Sequence, residues 1–279
     1  MSQRQKISDG SSGIQINGNV NCGISYSDVR DIVLDLFKQN FPKLLEEAKE
    51  QALQNLKEYE KHLDESLKRR LEDVDFNKFK DPNTQYILNN SISYAARKGK
   101  KIDLDLLSET LVTSLLKSNT DILNIISEQA VEIIPKLTLE SINMLTFLFS
   151  FFNIRMVVSE SISETEEFYK KIIETHSIPA NNKVLIGYME SLGILSNLHI
   201  GRNDVYNKIK LDYPGIYKNS SKSDIQEDIQ KNAPNLFKVI KMIEDNRFDK
   251  VELTPLGMLI SLINMRNYLP SIDYNEWIN

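Results

Sequence analysis

Residues 44–74 read LLEEAKEQALQNLKEYEKHLDESLKRRLEDV. The apolar positions are Leu44, Ala48, Ala52, Leu56, Tyr59, Leu63, Leu67, Leu71 and Val74, at steps of 4, 4, 4, 3, 4, 4, 4 and 3. An α-helix turns once in about 3.6 residues, so these steps place all nine on one side of a helix. A strand would instead alternate at every second residue. The mean step lies nearer an eleven-residue than a seven-residue repeat, which predicts a nearly straight or slightly right-handed bundle. The remaining faces intersperse Glu46, Glu47, Lys49, Glu50, Lys57, Glu58, Glu60 and Lys61 with Lys68, Arg69 and Arg70, the pattern of a solvated surface. A long helix with one narrow apolar seam needs something to cover it. The cover is either another subunit or the chain's own later helices.

Upstream, Ser27 and Asp28 supply helix-start chemistry. Val29, Ile32, Val33, Leu36, Phe37 and Phe41 then recur at helical spacing until Pro42, which kinks the helix or starts a new one. Residues 1–12 are polar and offer nothing to bury. In the next stretch Ile14, Ile16 and Val20 alternate with Gln15, Asn17 and Asn19 around Gly18-Asn19, which reads as a small hairpin or β-arch. Such a piece is not stable alone in water. It either stays disordered or pairs with copies from neighbouring subunits, and pairing is the preferred expectation. Residues 1–24 are thus read as a flexible leader and 25–80 as a long amphipathic helix for oligomerisation. Ile14, Ile16, Val20, Leu56, Leu63 and Leu67 are its candidate contacts. Deleting residues 1–24 is expected to weaken the assembly.

Residues 81–160 read as a helical core. Asp81-Pro82 opens a helix over 84–98 that ends in Arg97-Lys98-Gly99-Lys100-Lys101, with Gly99 as its C-cap. The basic turn suits a helix C-terminus facing water; Arg97, Lys98, Lys100 and Lys101 are also candidates for phosphate contact. Helices over 103–117 and 121–134 follow, and Thr138 caps the next one. The most apolar stretch is LTFLFSFFNIRMVV, from Leu145 to Val158. It is shorter than the roughly 20 residues of a bilayer span and is interrupted by Asn153 and Arg155, so it reads as a buried helix. The cluster Phe147, Phe149, Phe151 and Phe152 motivates a rival reading, a segment released to a membrane on triggering.

Residues 161–279 read as helix, helix, strand, long insertion, strand, helix. The helices are placed at about 165–175 and at Asn182–Leu192, and the first strand near Ile194–Ile200. The stretch 201–222 reads as irregular, with a turn at Tyr213-Pro214-Gly215, and a helix over 223–244 is broken near Pro234. Arg247–Leu253 reads as a strand, and Thr254-Pro255 starts the last helix. That order matches a winged-helix-like module with an extended wing. The helix in the recognition position offers one cation, Lys183, as a candidate nucleic-acid contact. Residues 198–250 hold ten Lys and Arg against eight Asp and Glu, a balance that favours a protein-binding over a DNA-binding module. The predicted fold class is mainly α: a long amphipathic helix and a helical bundle, with a small α+β module at the C-terminal end.

Composition narrows the function. The chain has 279 residues, a formal net charge of −5, 41% hydrophobic and 26% charged residues. It is too apolar for disorder and too acidic to coat nucleic acid. One cysteine, Cys22, precludes an intramolecular disulfide, and His62, His176 and His199 lack ligand spacing. Asp103 and Asp105 flank Leu104, and alternate helical positions point apart. Phosphate-binding, dinucleotide, nucleophile-elbow and deaminase motifs are missing, so no catalytic, cofactor or metal residue is assigned and a non-enzymatic role is expected. The N-terminal residues MSQRQKISDGSSG lack the apolar core of a signal peptide, which makes a cytoplasmic location the expectation.

Three stretches, DPNTQYILNNSISYAARKG (81–99), DLLSETLVTSLL (105–116) and AVEIIPKLTLESINMLTFL (130–148), resemble the Abi-alpha type of abortive-infection protein. Asp81, Pro82, Pro135, Leu137 and Thr138 carry that match. Two shorter elements, Met189-Glu-Ser-Leu-Gly193-Ile-Leu195 and Leu253-Thr-Pro-Leu-Gly257, extend it, as does the leader GNVNCGISYSDVRDIVLDLF. The resemblance implies a bacterial cytoplasmic protein involved in phage exclusion. The resulting expectation is a self-associating binding or effector scaffold with a phage or host protein partner and no stable membrane span. The alternatives are a winged-helix DNA-binding regulator and a membrane-perturbing effector.

Overall fold

The leucine ladder forms one helix, α2 (Glu46–Arg69), preceded by α1 (Tyr26–Asn40), but the helix stops before Leu71 and Val74: Leu71 is exposed in a turn and Val74 bridges to Leu116. The computed structural model describes residues 26–40, 46–156, 158, 160–176, 183–197, 204–266 and 274. Most of the seam of α2 is covered within the chain itself. Ala52, Leu56, Tyr59, Leu63 and Leu67 are buried within the chain, and α2 packs chiefly on α3 (Pro82–Lys98) and α4 (Leu104–Ser114). Leu56, Leu63 and Leu67 are therefore core residues of the chain itself. Covering a seam from the same chain avoids the cost of bringing two molecules together. Ile14, Ile16, Val20 and the kink at Pro42 lie outside the described residues.

Capping side chains set the helix starts that follow. Asp81 accepts from the Thr84 amide with Pro82 in the first turn, and Asp103 accepts from the Leu106 amide. Thr120 does the same for α5 (Asp121–Ile133). A 3-10 turn at Ile134–Lys136 leads to Thr138, which caps α6 (Leu139–Phe152). In α6, Met144, Leu145, Phe147, Phe149 and Phe151 are buried. The most apolar stretch of the chain is therefore its central core helix. Among the described residues no helix is long and apolar enough to cross a membrane, and the membrane-release reading of Leu145–Val158 gains no support.

The remaining third holds α7 (Glu166–Thr175), α8 (Lys183–Ser191), β1 (Leu195–Asn197), α9 (Val205–Asp212), α10 (Pro214–Tyr217), α11 (Lys222–Asn232), α12 (Pro234–Asn246), β2 (Val251–Leu253) and α13 (Pro255–Asn264). The fold is mainly α, with one antiparallel two-stranded sheet among the described residues. Leu195 faces Leu253 and Asn197 faces Val251. β2 is shorter than its sequence suggests, while residues 198–200 of the first expected strand lie outside the described residues. Arg247 takes a left-handed conformation (φ 57°) that ends α12, and Phe248–Lys250 form a 3-10 turn. The stretch expected to be irregular is corrected, since it holds α9 and α10, and the expected helix broken near Pro234 is α11 and α12. Asp204 accepts from the Tyr206 and Asn207 amides to start α9, whose Val205, Tyr206 and Ile209 turn inward. Pro214 opens α10 rather than a turn because its fixed φ suits a first helical position.

The boundary drawn at residue 160 does not divide the molecule. Helix α13 packs against α4, α5 and α6, inside what was read as a separate core. Its seat is a joint built from the two short elements of the resemblance. Gly193 adopts φ 72°, and its carbonyl accepts from Thr254 Oγ1 at 2.7 Å. The Thr254 amide donates to the Ile194 carbonyl at 3.2 Å. A Cβ at Gly257 would stand 2.2 Å from that same carbonyl oxygen. Glycine is required there because the first turn of α13 lies directly on the backbone entering β1.

Candidate functional site

Two grooves flank α2. The first lies where α3 ends. Arg97, Lys98, Lys100 and Lys101 line it together, opposite Gln51, Gln54, Asn55 and Glu58 of α2, around a volume of about 500 Å³. The basic turn is held against α2 by Asn55, which is buried and donates from Nδ2 to the Ala96 carbonyl at 2.9 Å. Gly99 (φ 50°) makes the approach feasible, since a Cβ there would stand 2.3 Å from Asn55 Oδ1. Lys98 Nζ donates to the Pro135 carbonyl, and Lys100 Nζ lies 3.5 Å from Glu58 Oε1. Lys183 does not line this groove. It is exposed at the start of α8, where it is that helix's one cation. Tyr188 on the same helix is tied to the core, its hydroxyl donating to the Lys136 carbonyl at 3.0 Å.

The second groove lies between α1 and α2 and encloses about 240 Å³. Val33, Leu34, Leu53, Leu56, Leu63 and Leu67 form an almost wholly apolar lining, with Arg30, Lys57, Glu60 and Asp64 on the rim. Arg30 Nε and Glu60 Oε1, 2.6 Å apart, bridge the two helices. Leu56, Leu63 and Leu67 are thus core residues whose remaining surface meets this groove.

At the far end of α2 lies an ionic junction that the sequence reading missed. Glu109 of α4 is 1% exposed and sits among three arginines. Arg69 Nη2 is 2.8 Å from its Oε2, Arg70 Nε 3.0 Å from its Oε1, and Arg266 Nε 3.8 Å from its Oε2. Asp105, one turn earlier, pairs with Arg266, and His62 Nδ1 lies 3.7 Å from its Oδ1. Arg70 also donates to the Tyr274 hydroxyl at 2.9 Å and lies over that ring. Burial pushes the Glu109 carboxyl up, but the Arg69 hydrogen bond, Arg266, Arg70 and Ser66 outweigh it, and its pKa falls below the usual value. The available signal was Asp105 and Glu109 at i and i+4 on a helix that is otherwise apolar or hydroxyl-bearing.

His176 is buried, with Nδ1 3.2 Å from Asn143 Oδ1, and burial lowers its pKa. His199 and Cys22 lie outside the described residues. Among the described residues no group of three or more His, Cys, Asp and Glu is placed to hold a metal ion.

The fold is mainly α, with a groove on each flank of one long helix. A protein-family model for a family of unknown function matches residues 23–224 and again 216–278, and the chain belongs to that family. No curated protein and no solved structure matches it.

Proposed function

We propose that this chain is a bacterial, cytoplasmic antiphage protein of the abortive-infection type. It acts as a non-enzymatic, self-associating scaffold that holds a phage or host protein. The observation supporting self-association is the apolar groove between α1 and α2. An open leucine-lined groove between two helices is the surface that takes a further apolar helix face. A second copy of the chain is the fitting occupant. The rim balances two cations, Arg30 and Lys57, against two carboxylates, Glu60 and Asp64, so copies related by a two-fold axis meet without net repulsion. Leu53, 39% exposed, and the half-buried Leu34 would be covered by such a contact. The phage-exclusion role rests on the resemblance carried by residues 81–148 and by the Gly193 and Gly257 elements.

Light scattering over a range of concentrations tests the association. The wild type is expected at a multiple of the monomer mass, and the Leu34→Glu, Leu53→Glu double variant at the monomer mass with an unchanged far-ultraviolet circular dichroism spectrum. A monomeric wild type, or an unchanged mass in the variant, overturns the reading. Phage plating on cells expressing either form tests the defence role. Plaque counts are expected to fall with the wild type and to recover with the variant.

A further inference from the structure

We propose that the basic groove at the end of α3 is a binding site for a compact polyphosphate anion, of the class of inorganic triphosphate and nucleoside triphosphates. Four cations, Arg97, Lys98, Lys100 and Lys101, fall within five residues and face a single carboxylate, Glu58. Lys98 is engaged with the Pro135 carbonyl and Lys100 with Glu58. Arg97 and Lys101 are exposed and have no hydrogen-bond or ion-pair partner among the described residues. The groove therefore holds a surplus of positive charge in a chain whose net charge is −5.

The site is preformed. Buried Asn55 fixes the turn through the Ala96 carbonyl and through its contact with Gly99, so the cations need no rearrangement of the backbone before an anion enters. Gln54, exposed on the facing wall, supplies an amide donor. A volume of about 500 Å³ falls within the range of small-ligand sites.

Shape and chemistry select the class of anion. A duplex is gripped by cations spread along a face, each neutralising a different phosphate. Here the cations are gathered at one helix end. Among the described residues the groove has no aromatic lining on which the bases of a single strand could stack. What remains is a dense cluster of donors for adjoining phosphate groups on one small molecule, with guanidinium and ammonium groups making charge-assisted hydrogen bonds.

The test is titration calorimetry of the full chain at low salt with inorganic triphosphate, with ATP and with a short random duplex. The wild type is expected to bind triphosphate. The Arg97→Glu, Lys101→Glu double variant is expected to bind at least about tenfold more weakly, with an unchanged circular dichroism spectrum at the titration temperature and a melting temperature lowered only slightly by the loss of cations at the helix C-terminus. Lys183→Glu, outside the groove, is the control and is expected to bind as the wild type does. ATP binding equal to triphosphate places recognition in the phosphates alone, and tighter ATP binding adds a nucleoside contact; both support the site. Failure of triphosphate and ATP to bind, or equal binding by the double variant, overturns it. So does duplex binding that the double variant loses and triphosphate fails to displace.

Discussion

Glu109→Ala is expected to lower the unfolding free energy by about 3–5 kcal/mol, the usual cost of removing one partner of a buried ion pair. The loss is large because the carboxylate serves three arginines at once. Arg70 and Arg266 are mostly covered, with side-chain exposures of 22% and 13%; Arg70 would lose its paired carboxylate, and Arg266 would be left with Asp105 alone. Domain stabilities run at about 5–15 kcal/mol, so the substitution removes a sizeable share. Glu109→Gln keeps the volume and removes only the charge, and should fall between the two. Urea denaturation at neutral pH measures both. A loss under about 1 kcal/mol for Glu109→Ala, the range of exposed pairs, would contradict the assignment.

The same junction sets a pH dependence. The native pKa of Glu109 lies below its ordinary value of about 4.3, so the folded state binds this proton less readily than the unfolded state. Its stabilisation is complete above the unfolded pKa and disappears as pH falls through the lower native pKa. The stability difference between wild type and Glu109→Gln should therefore be constant at neutral pH and shrink in acid. A difference that grows on acidification would reverse the sign and refute the account.

Gly257→Ala is expected to cost about 3 kcal/mol, at the upper end of the usual range for overpacking. The new Cβ would meet the Ile194 carbonyl oxygen at 2.2 Å, and the obstacle is backbone rather than a flexible side chain. Relief requires α13 to lift from β1, which also strains the Thr254 bonds to Gly193 and Ile194. Because α13 packs on α4, α5 and α6, the displacement would reach the core. Thermal unfolding of Gly257→Ala beside Gly187→Ala separates the effect from helix propensity, since a Cβ at Gly187 meets nothing within 4 Å. Equal melting temperatures for the two would dispose of the steric explanation.

The resemblance elements around Gly193 and Gly257 acquire a physical meaning from this joint. In the sequence they are two short strings about sixty residues apart. In the structure they are one contact, with a left-handed glycine, a capping threonine and a close-approach glycine. Gly193's requirement is local, a left-handed φ just after α8, but Gly257's is not, because it depends on backbone supplied by the other string.

Much of the helical framework was readable from neighbouring residues. Asp81, Asp103, Thr138 and Thr254 start helices through bonds to amides three residues ahead. The apolar steps from Ala48 to Leu67 place one continuous helix, which ends before Leu71. Such features are encoded over three or four residues, so a single stretch suffices. The region 201–222 failed the same reading because α9 and α10 are short, with 8 and 4 residues, and one or two turns show no period.

The basic groove was half readable. Its four cations were named from residues 97–101, but Gln51, Gln54, Asn55 and Glu58 became their opposite wall only through the packing of α2 on α3. The ionic junction was not readable, since Asp105 and Arg266 stand 161 residues apart. By itself, then, the sequence determined that the protein is mainly α, where most helices begin, and which turn carries its densest positive charge. Tertiary structure decided what covers the leucine seam, that the C-terminal helix belongs to the core, and which charges meet. Those outcomes depend on shape and charge complementarity between surfaces far apart in the chain, and no local period or cap records it.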